Sequence, residues 1–432
     1  MKSFAQLSPM KKTFLAMMLL ALGLCTRAQS SHTGDSNKNM ATDDKSIITA
    51  AERMGAYLPL IRGKRVAIFA NQTSLVCRTH LVDTLLKKGI NVVKIFGPEH
   101  GFRGDADAGE QVNNLTDRKT GIPIISLYGD HKKPTAADLG NVDMILFDIQ
   151  DVGVRFYTYI SSLEYVMEAA LENKKPLLIL DRPNPNGFYV DGPVLDKKFK
   201  SFIGMQPVPI VYGMTIGEYA LMLLGEKWLN DNANAAAEQQ KGNRRPKDSA
   251  FLVKVIPCTN YDHKKKYTLP VNPSPNLKEM QSVYWYPSTC FFEGTVFSEG
   301  RGTDKPFQIF GHPSLPKNLF EFTPKPNAGA KSSKCFYQKC YGWNLSGTVD
   351  DVLKKVNGRI QLQYFIKAYE LFPGKDSFFL KNNFIDKLAG NDLLRQQITQ
   401  GLSESAIRKS WKPGLLAFKA IRKKYLLYPD FE

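Results

Sequence analysis

Residues 96–110 concentrate ionisable side chains in a short stretch of the chain. They include four carboxylates, one imidazole, one guanidinium and four glycines in fifteen positions. The stretch directly follows residues 92–95, an apolar, β-branched run that predicts a buried strand. In parallel α/β sheets, ligands bind at the loops that leave the carboxyl ends of the strands. A buried core would need a partner for each of these charges, so the stretch is predicted to be an active-site loop.

Glu99 is the first catalytic candidate in this loop. Flanking glycines free the backbone to present its side chain, and Phe96 and Phe102 are placed to shield it from water. A carboxyl group in such surroundings suits a general acid. The structural alternative is that Glu99 pairs with Arg103 or Arg155 and only fixes the loop. The catalytic role is the favoured interpretation.

His100, beside Glu99, is a candidate to orient it or to act as a base, and a purely structural hydrogen bond is the alternative. Asp107 and Glu110 lie farther along, but their spacing lacks the later bidentate Glu of a calcium-binding loop. The glycines fit neither a dinucleotide-binding nor a Walker pattern. We therefore predict no metal and no cofactor, and a metal-dependent hydrolase that uses His100, Asp105 and Asp107 stays an alternative.

A second loop rich in charged, polar and aromatic side chains follows the predicted strand at 143–147. It carries Gln150, Asp151, Arg155 and Tyr157. Carboxylates, amides and guanidinium groups suit sugar hydroxyls, and aromatic rings suit the apolar faces of a sugar. The structural alternative for Asp151 is a capping or turn role.

A third loop with charged and polar side chains follows the strand predicted at 176–180. It carries Asp181, Arg182 and Asn184, and two prolines stiffen it. Binding and turn formation are equally favoured for Asn184. Since the carboxyl ends of parallel strands meet at one edge of the sheet, these loops are predicted to converge on one site.

The second half of the chain adds further candidates. Asn276 closes a proline-stiffened polar loop, and Glu293 and Arg301 lie in a glycine-rich stretch that mixes both charges. The serines nearby have no G-x-S-x-G context, which disfavours a serine hydrolase. Because both halves of the chain contain loops with charged and polar side chains, we predict that the site is a cleft between the two halves.

Apolar runs and helical periodicity alternate through the first half, which predicts a parallel sheet covered by helices. The predicted strands are 65–70, 92–96, 123–127, 143–147 and 176–180, and the predicted helices are 79–88, 161–173 and 215–229. Capping boxes are predicted at Ser161 with Glu164 and at Thr215 with Glu218. Helical patterns recur at 361–371 and 415–425.

The length of 432 residues favours two domains. We predict an α/β sheet domain at 48–225, a polar insertion or linker at 226–250, and a smaller C-terminal α+β domain at 251–432. The fold class is therefore α/β with a second, smaller domain, and the site lies in the cleft between the two.

The first 28 residues are predicted to be a cleaved signal peptide. A basic start, an apolar run of about eleven residues and a small-x-small site ending at Ala28 support this prediction. A flexible lead-in is predicted at 29–47. Cys25 raises the possibility of a lipoprotein, which Leu24 before it disfavours. We expect a periplasmic or secreted protein.

The formal net charge of +17 includes four cations of the leader, which leaves about +13 for the mature chain and favours anionic partners. For an exported protein these partners are expected to be wall polymers or acidic lipids rather than nucleic acid. No later stretch predicts a membrane span. Cys335 and Cys340 are placed to form a disulfide in an oxidising compartment. The sequence does not indicate an oligomeric state.

Five motifs in order resemble the DUF1343 family, the NamZ-type exo-β-N-acetylmuramidases of glycoside hydrolase family 171. The resemblance extends over residues 48–428 and is carried by the motifs at 97–104, 147–153, 180–185, 273–276 and 298–303. It implies a Rossmann-like domain, a C-terminal domain and a site in the cleft between them. It also implies release of N-acetylmuramic acid from the non-reducing end of peptidoglycan fragments. A non-catalytic peptidoglycan-binding protein is the alternative.

Glu99 matches the prominent loop glutamate of the family, and we expect it to protonate the departing glycosidic oxygen. A second carboxylate is needed to stabilise the oxocarbenium-like transition state or to activate water, and the candidates are Glu110, Asp107, Asp151 and Glu293. The 2-acetamido group of the substrate is an alternative nucleophile. For the lactyl carboxylate of muramic acid, a guanidinium is the natural bidentate partner, and the candidates are Arg155 and Arg301.

Overall fold

The computed structural model describes residues 46–99, 101–102, 115–242 and 251–432. The predicted signal peptide and most of the lead-in lie outside the described residues. Ser46–Glu432 forms one compact unit. Across the described ranges, no helix is both long enough and apolar enough to cross a membrane.

The central sheet has seven strands, and six of them run parallel, as the alternating sequence pattern predicts. The strands of the described chain are β1 Arg65–Ala70, β2 Leu75–Val76, β3 Thr79–His80, β4 Asn91–Gly97, β5 Leu115–Thr116, β6 Pro123–Ser126, β7 Met144–Asp148, β8 Leu177–Leu180, β9 Val253–Ile256, β10 Ile309–His312, β11 Phe320–Phe322 and β12 Cys340–Asn344. The order in the sheet is β5-β6-β4-β1-β7-β8-β9, and only the edge strand β5 is antiparallel to its neighbour. The predicted fold class is confirmed.

Helices cover the sheet and build most of the C-terminal part. They are α1 Met54–Ile61, α2 Leu81–Lys87, α3 Tyr159–Glu172, α4 Ile216–Gly225, α5 Asp231–Gly242, α6 Met280–Thr289, α7 Val349–Val356, α8 Gln363–Leu371, α9 Phe384–Ala389, α10 Leu393–Thr399 and α11 Glu404–Arg422. A three-stranded antiparallel sheet, in the order β10-β12-β11, lies in the second half. The last strand of the large sheet, β9, lies beyond residue 250, so this sheet continues past the predicted linker.

The side chains of β1 alternate between two apolar layers, as strand geometry requires. Val66 and Ile68 face one layer, whereas Phe69 faces the other and stacks on Phe147 of β7 with ring centroids 4.6 Å apart. The second layer continues without a break to buried side chains of the second half, such as Trp285. The two halves therefore share one core.

The capping box predicted at Ser161 and Glu164 is wrong, whereas the one at Thr215 and Glu218 is confirmed. Helix α3 begins two residues earlier, at Tyr159, so both Ser161 and Glu164 lie buried inside the helix. In α4, Thr215 N donates to Glu218 Oε2 at 2.9 Å, and Glu218 N donates to Thr215 Oγ1 at 3.2 Å.

The cysteines of the described chain are free thiols, so the possible Cys335–Cys340 disulfide is not formed in this structure.

Candidate active site

A cavity of about 230 Å³ opens where the carboxyl ends of β4 and β7 meet the second half of the chain. The first half lines it with one carboxylate, hydroxyls and aromatic rings: Glu99, Tyr128, Phe156, Tyr157, Thr158, Tyr159, Phe202 and Ile203. The second half supplies an ion pair and mostly apolar side chains: Ser274, Leu277, Tyr286, Glu293, Arg301, Phe307 and Phe384. The cavity therefore combines charged groups with aromatic walls, as a sugar-binding site requires.

Glu99 stands just beyond the end of β4, half-buried in the wall of this cavity. Its Oε1 accepts a hydrogen bond from the Tyr128 hydroxyl at 3.0 Å, and its Oε2 accepts one from the Thr158 hydroxyl at 3.0 Å. Burial, and then the nearby Glu99 carboxylate, raise the pKa of Tyr128, so this hydroxyl keeps its proton. Because each oxygen accepts a hydrogen bond from a hydroxyl, the orientation of the carboxyl group is fixed.

Tyr157 and Tyr159 support the floor of the cavity. Their rings meet edge to face with centroids 4.7 Å apart. The Tyr157 hydroxyl donates to the carbonyl oxygen of Pro273 at 2.8 Å, and the Tyr159 hydroxyl accepts from Asn71 Nδ2 at 2.7 Å. These bonds tie the loop after β7 to the loop after β1 and to a polar loop of the second half.

Glu293 and Arg301 form the opposite wall of the cavity. Glu293 lies in a short 3₁₀ helix, Cys290–Gly294, and its Oε1 accepts from Arg301 Nη2 at 2.6 Å. The guanidinium of Arg301 also lies over the ring of Phe307, 5.2 Å from its centroid. Both charged side chains line the cavity and are mostly buried, with 20% of Glu293 and 18% of Arg301 exposed.

A chain of alternating charges continues behind this wall. Arg301 Nε lies 3.2 Å from Glu299 Oε1, and Lys334 Nζ lies 2.9 Å from Glu299 Oε2. Burial alone would raise the pKa of Glu299, but Lys334 and Arg301 outweigh it and lower that pKa. Burial alone would lower the pKa of Arg301, but Glu293 and Glu299 outweigh it and raise that pKa. The Glu299 carboxylate and the Arg301 guanidinium are therefore held in their charged forms.

Asp151 does not line the cavity. It is buried, with Oδ2 accepting from the Tyr212 hydroxyl and, at 2.7 Å, from Gly153 N. Burial raises the pKa of Asp151 to about 6. Its Oδ1 has no hydrogen-bond partner in the part of the chain that is described. The structure thus places this candidate carboxylate behind the site and not in it.

Arg155 is also placed away from the cavity. It is fully buried, and its guanidinium donates to three backbone carbonyls, those of Pro193 at 2.9 Å, Val208 at 2.7 Å and Leu388 at 2.9 Å. A lactyl carboxylate cannot reach a guanidinium that is buried and engaged in this way. The expectation that Arg155 binds it is therefore corrected, and Arg301 is the candidate that reaches the cavity.

Asp181 and Arg182, which were predicted to contribute to the site, are buried. Asp181 accepts from Thr215 Oγ1 at 2.7 Å and from the Tyr428 hydroxyl at 2.6 Å, and Arg182 forms a two-fold hydrogen bond with Asp148. Their donors and acceptors are used to close the fold, so neither lines the cavity.

Three candidate residues with side-chain amides also donate hydrogen bonds to backbone carbonyls. Gln150 donates to the carbonyl of Pro183 at 2.7 Å, Asn184 to that of Met214 at 2.8 Å, and Asn276 to that of Gly329 at 2.6 Å. All three are buried. They shape the loops that surround the site without lining its main cavity.

Five candidates lie outside the described residues: His100, Arg103, Asp105, Asp107 and Glu110. In the described ranges, no three His, Cys, Asp or Glu side chains cluster in a way that could hold a metal ion.

Tyr128 and Thr158 are site residues that the sequence analysis did not single out. Tyr128 follows β6, and Thr158 precedes α3, so both leave the same edge of the sheet as Glu99. The position of Tyr128 directly after the strand predicted at 123–127 was a usable signal. The contact of Thr158 was hidden because a threonine before a helix usually caps that helix.

Buried carboxyl groups away from the cavity should make the protein more stable in mild acid. Burial raises the pKa of Asp151 and Asp181 to about 6 and that of Glu164 to about 7. In the unfolded chain these groups titrate near pH 4, so the folded state holds more protons between the two values. Their contribution to stability is complete below about pH 4 and is lost as the pH rises through 6 to 7.

We therefore expect the Tm to fall between about pH 5 and pH 8. The Glu164→Gln variant should show a shallower fall, because it lacks this titrating carboxyl group. Its amide oxygen can still accept from Gln206 Nε2, which lies 2.7 Å from Glu164 Oε1. Thermal unfolding of both proteins across this range is the measurement. Parallel Tm profiles would contradict the assignment to Glu164.

Both halves of the chain match descriptions of one family. Residues 66–281 match the family model described as "Exo-beta-N-acetylmuramidase NamZ, N-terminal". Residues 284–428 match the model described as "Exo-beta-N-acetylmuramidase NamZ, C-terminal". A curated relative, the peptidoglycan beta-N-acetylmuramidase NamZ of Bacillus subtilis, is 37% identical, and the match covers 97% of this chain and 100% of the relative.

Two crystal structures of DUF1343 family proteins from Bacteroides fragilis are similar. One is 45% identical with a TM-score of 0.78, covering 89% of this chain and 100% of the other. The second is 27% identical with a TM-score of 0.69, covering 88% and 99%. The fold, the order of the motifs and these matches agree, and the chain belongs to the NamZ family of exo-beta-N-acetylmuramidases.

Proposed function

We propose that this protein is an exo-β-N-acetylmuramidase that hydrolyses the β-glycosidic bond of N-acetylmuramic acid at the non-reducing end of peptidoglycan fragments. The observation that carries the proposal is a single cavity with Glu99, oriented by two hydroxyls, on one wall and the Glu293–Arg301 ion pair on the other. The activity named for the Bacillus subtilis relative supports it.

The size of the cavity favours action at a chain end. A volume of about 230 Å³ is small for a ligand site, and aromatic side chains close its sides. Such a space suits one terminal sugar better than a stretch of polymer lying across the surface. The proposed test is product analysis on short peptidoglycan glycans that end in muramic acid. Free N-acetylmuramic acid should be the first product, and internal fragments would contradict the proposal.

In the proposed mechanism, Glu99 protonates the departing glycosidic oxygen. Its hydrogen bonds to Tyr128 and Thr158 fix where that proton is delivered. Glu293 lines the same cavity, and its Oε1 accepts a hydrogen bond from Arg301 Nη2 at 2.6 Å. An ionised carboxylate suits the positive charge that develops on the sugar ring in the transition state.

Arg301 is proposed to recognise the lactyl carboxylate. Its Nη2 and Nε are used by Glu293 and Glu299, whereas its Nη1 forms no hydrogen bond within the described chain. A guanidinium donor that faces a sugar-sized cavity can bind a carboxylate on the substrate. This contact would distinguish muramic acid from glucosamine, which has no lactyl group.

Replacing Arg301 with lysine should raise KM about 10- to 100-fold for a β-N-acetylmuramide, because a charged hydrogen bond is lost. The KM for the matching β-N-acetylglucosaminide should change far less. Steady-state kinetics on both substrates measures this, and the glucosaminide controls for any disturbance of Glu293. Equal increases for both substrates would refute the assignment.

We also propose that the protein acts outside the cytoplasm, in the periplasm or after secretion. The leader-like pattern of residues 1–28 and the basic charge of the rest of the chain support this location. Peptidoglycan fragments are the proposed partner, and they are present in that compartment.

A further inference from the structure

The segment between β11 and β12 brings two free thiols together, those of Cys335 and Cys340. Cys340 is the first residue of β12 and is fully buried, where it forms a small apolar cluster with Ile309 and Phe322. The half-buried Cys335 packs against this cluster, and its sulfur accepts a hydrogen bond from the Cys340 thiol. The two sulfur atoms are therefore neighbours in the folded protein.

The turn that begins at Cys335 has an uncommon backbone conformation. Cys335 has a φ of +58° and Tyr337 a φ of +59°, in the left-handed region that residues with a Cβ disfavour. Gln338 N donates to the carbonyl oxygen of Cys335 at 3.0 Å, and Tyr337 N donates to that of Pro324 at 2.9 Å. Hydrogen bonds alone hold this turn, so a covalent bond from Cys335 to β12 would restrain it further.

Lys334, the residue before the turn, supports the wall of the active-site cavity. Its Nζ lies 2.9 Å from Glu299 Oε2 and donates to the carbonyl oxygens of Phe292 at 2.6 Å and Thr295 at 3.0 Å. Glu299 in turn lies 3.2 Å from Arg301 Nε. The position of the Arg301 guanidinium therefore depends on where Lys334 is held.

Phe336, the residue after Cys335, supports the same wall through packing. A Cβ built on Gly302 would lie 2.7 Å from Phe336 Cε1, so the ring lies directly against the backbone of Gly302. Gly302 follows Arg301 in the chain. Cys335 thus stands between two residues, Lys334 and Phe336, that both hold the segment carrying Arg301.

Cys335 is suited to start a thiol–disulfide exchange. The hydrogen bond from Cys340 lowers the pKa of the Cys335 thiol, burial opposes this, and the Lys334 ammonium adds to the lowering. The thiolate is the nucleophile in such an exchange. The oxidant would be a small disulfide of the glutathione class.

The exchange has two steps. The Cys335 thiolate attacks one sulfur of the oxidant, which gives a mixed disulfide and releases one glutathione thiolate. The Cys340 sulfur then attacks the sulfur of Cys335, and the second glutathione leaves with the proton of the Cys340 thiol. Two protein thiols are oxidised, and one molecule of glutathione disulfide is reduced to two thiols.

We infer that Cys335 and Cys340 form a redox modification site whose disulfide restrains the cavity wall that carries Arg301. The structure shows the dithiol form. In the disulfide form, the turn is tied to β12, and Lys334 and Phe336 are held with it. The expected effect on substrate binding rests on the proposed function, in which Arg301 binds the lactyl carboxylate.

The test compares the protein after oxidised glutathione with the same protein after dithiothreitol. Peptide mapping should find the Cys335–Cys340 disulfide only in the oxidised protein. Oxidation should raise the Tm by about 2–3 °C and lower KM for a β-N-acetylmuramide about threefold, because a more rigid site binds with a smaller loss of entropy. Cys335→Ser should remove both differences. Cys77→Ser, which removes an exposed thiol outside the turn, is the matched control and should keep them.

Absence of the Cys335–Cys340 disulfide after oxidation would overturn the inference. A disulfide that leaves the Tm unchanged would show that the turn is not restrained, and one that leaves KM unchanged would refute the link to Arg301. Equal shifts in Cys335→Ser and wild type would assign them to another thiol. If the folded wild-type protein hydrolyses no muramide in either state, the proposed function fails, whereas peptide mapping and the Tm still decide whether this site forms and restrains the turn.

Discussion

The Glu99→Gln variant is expected to lose about 10³-fold in kcat, with little change in KM, because the amide cannot deliver a proton to the departing oxygen. Glutamine has the same shape, and its amide oxygen can still accept from one of the two hydroxyls that orient Glu99, those of Tyr128 and Thr158. The loss should therefore report the chemistry and not the packing. Steady-state rates on a chromogenic β-N-acetylmuramide measure it.

Tyr128→Phe is the matched control for this prediction. It removes one hydroxyl that orients Glu99 and leaves the carboxyl group in place. A loss of about tenfold is expected, since a positioning contact is worth less than the proton donor. If Glu99→Gln keeps more activity than Tyr128→Phe, Glu99 is not the acid.

The largest expected effect on stability comes from Asp148→Ala. Arg182 donates to Asp148 from Nε at 2.6 Å and from Nη2 at 2.8 Å, and both side chains are buried, with exposures of 2% and 0%. Removing the carboxylate leaves a guanidinium buried without its counter-ion. Breaking one side of such a pair costs about 3–5 kcal/mol. Urea unfolding should show this as a lower free energy of unfolding.

The Asp143→Ala variant is the matched control, because it breaks a similar two-fold pair with Arg65 at the surface. These side chains are 35% and 49% exposed, so water and salt screen the interaction. We expect Asp143→Ala to lower the free energy of unfolding by only a small fraction of the loss caused by Asp148→Ala. Losses of equal size in the two variants would show that burial does not decide the strength of the Asp148–Arg182 pair.

Five of the seven strands of the large sheet could be predicted because each is a short apolar run followed by polar residues, whereas the edge strands β5 and β9 were not predicted. The fourth and seventh strands of the chain, β4 and β7, fall within a residue of their predicted limits. Their order in the sheet brings Glu99 and Thr158 to one edge. The position of Glu99 in a cavity wall follows from this local pattern and from the general behaviour of parallel sheets.

Contacts between distant parts of the chain could not be predicted from the same pattern. Asp181 stands at a strand end as predicted, yet its carboxylate bonds to Tyr428, which is 247 residues away. The C-terminal end therefore covers a loop that looked accessible in sequence. Arg155 was misjudged for the same reason, since Leu388, whose carbonyl it binds, is 233 residues away.

The measurement that tests the central claim most directly is hydrolysis of a chromogenic β-N-acetylmuramide beside the matching β-N-acetylglucosaminide, by wild type and by Glu99→Gln. The proposed mechanism predicts that wild type turns over the muramide in strong preference and that the variant is nearly inactive. Equal hydrolysis of both sugars would contradict recognition of the lactyl group. A fully active variant would contradict the role of Glu99.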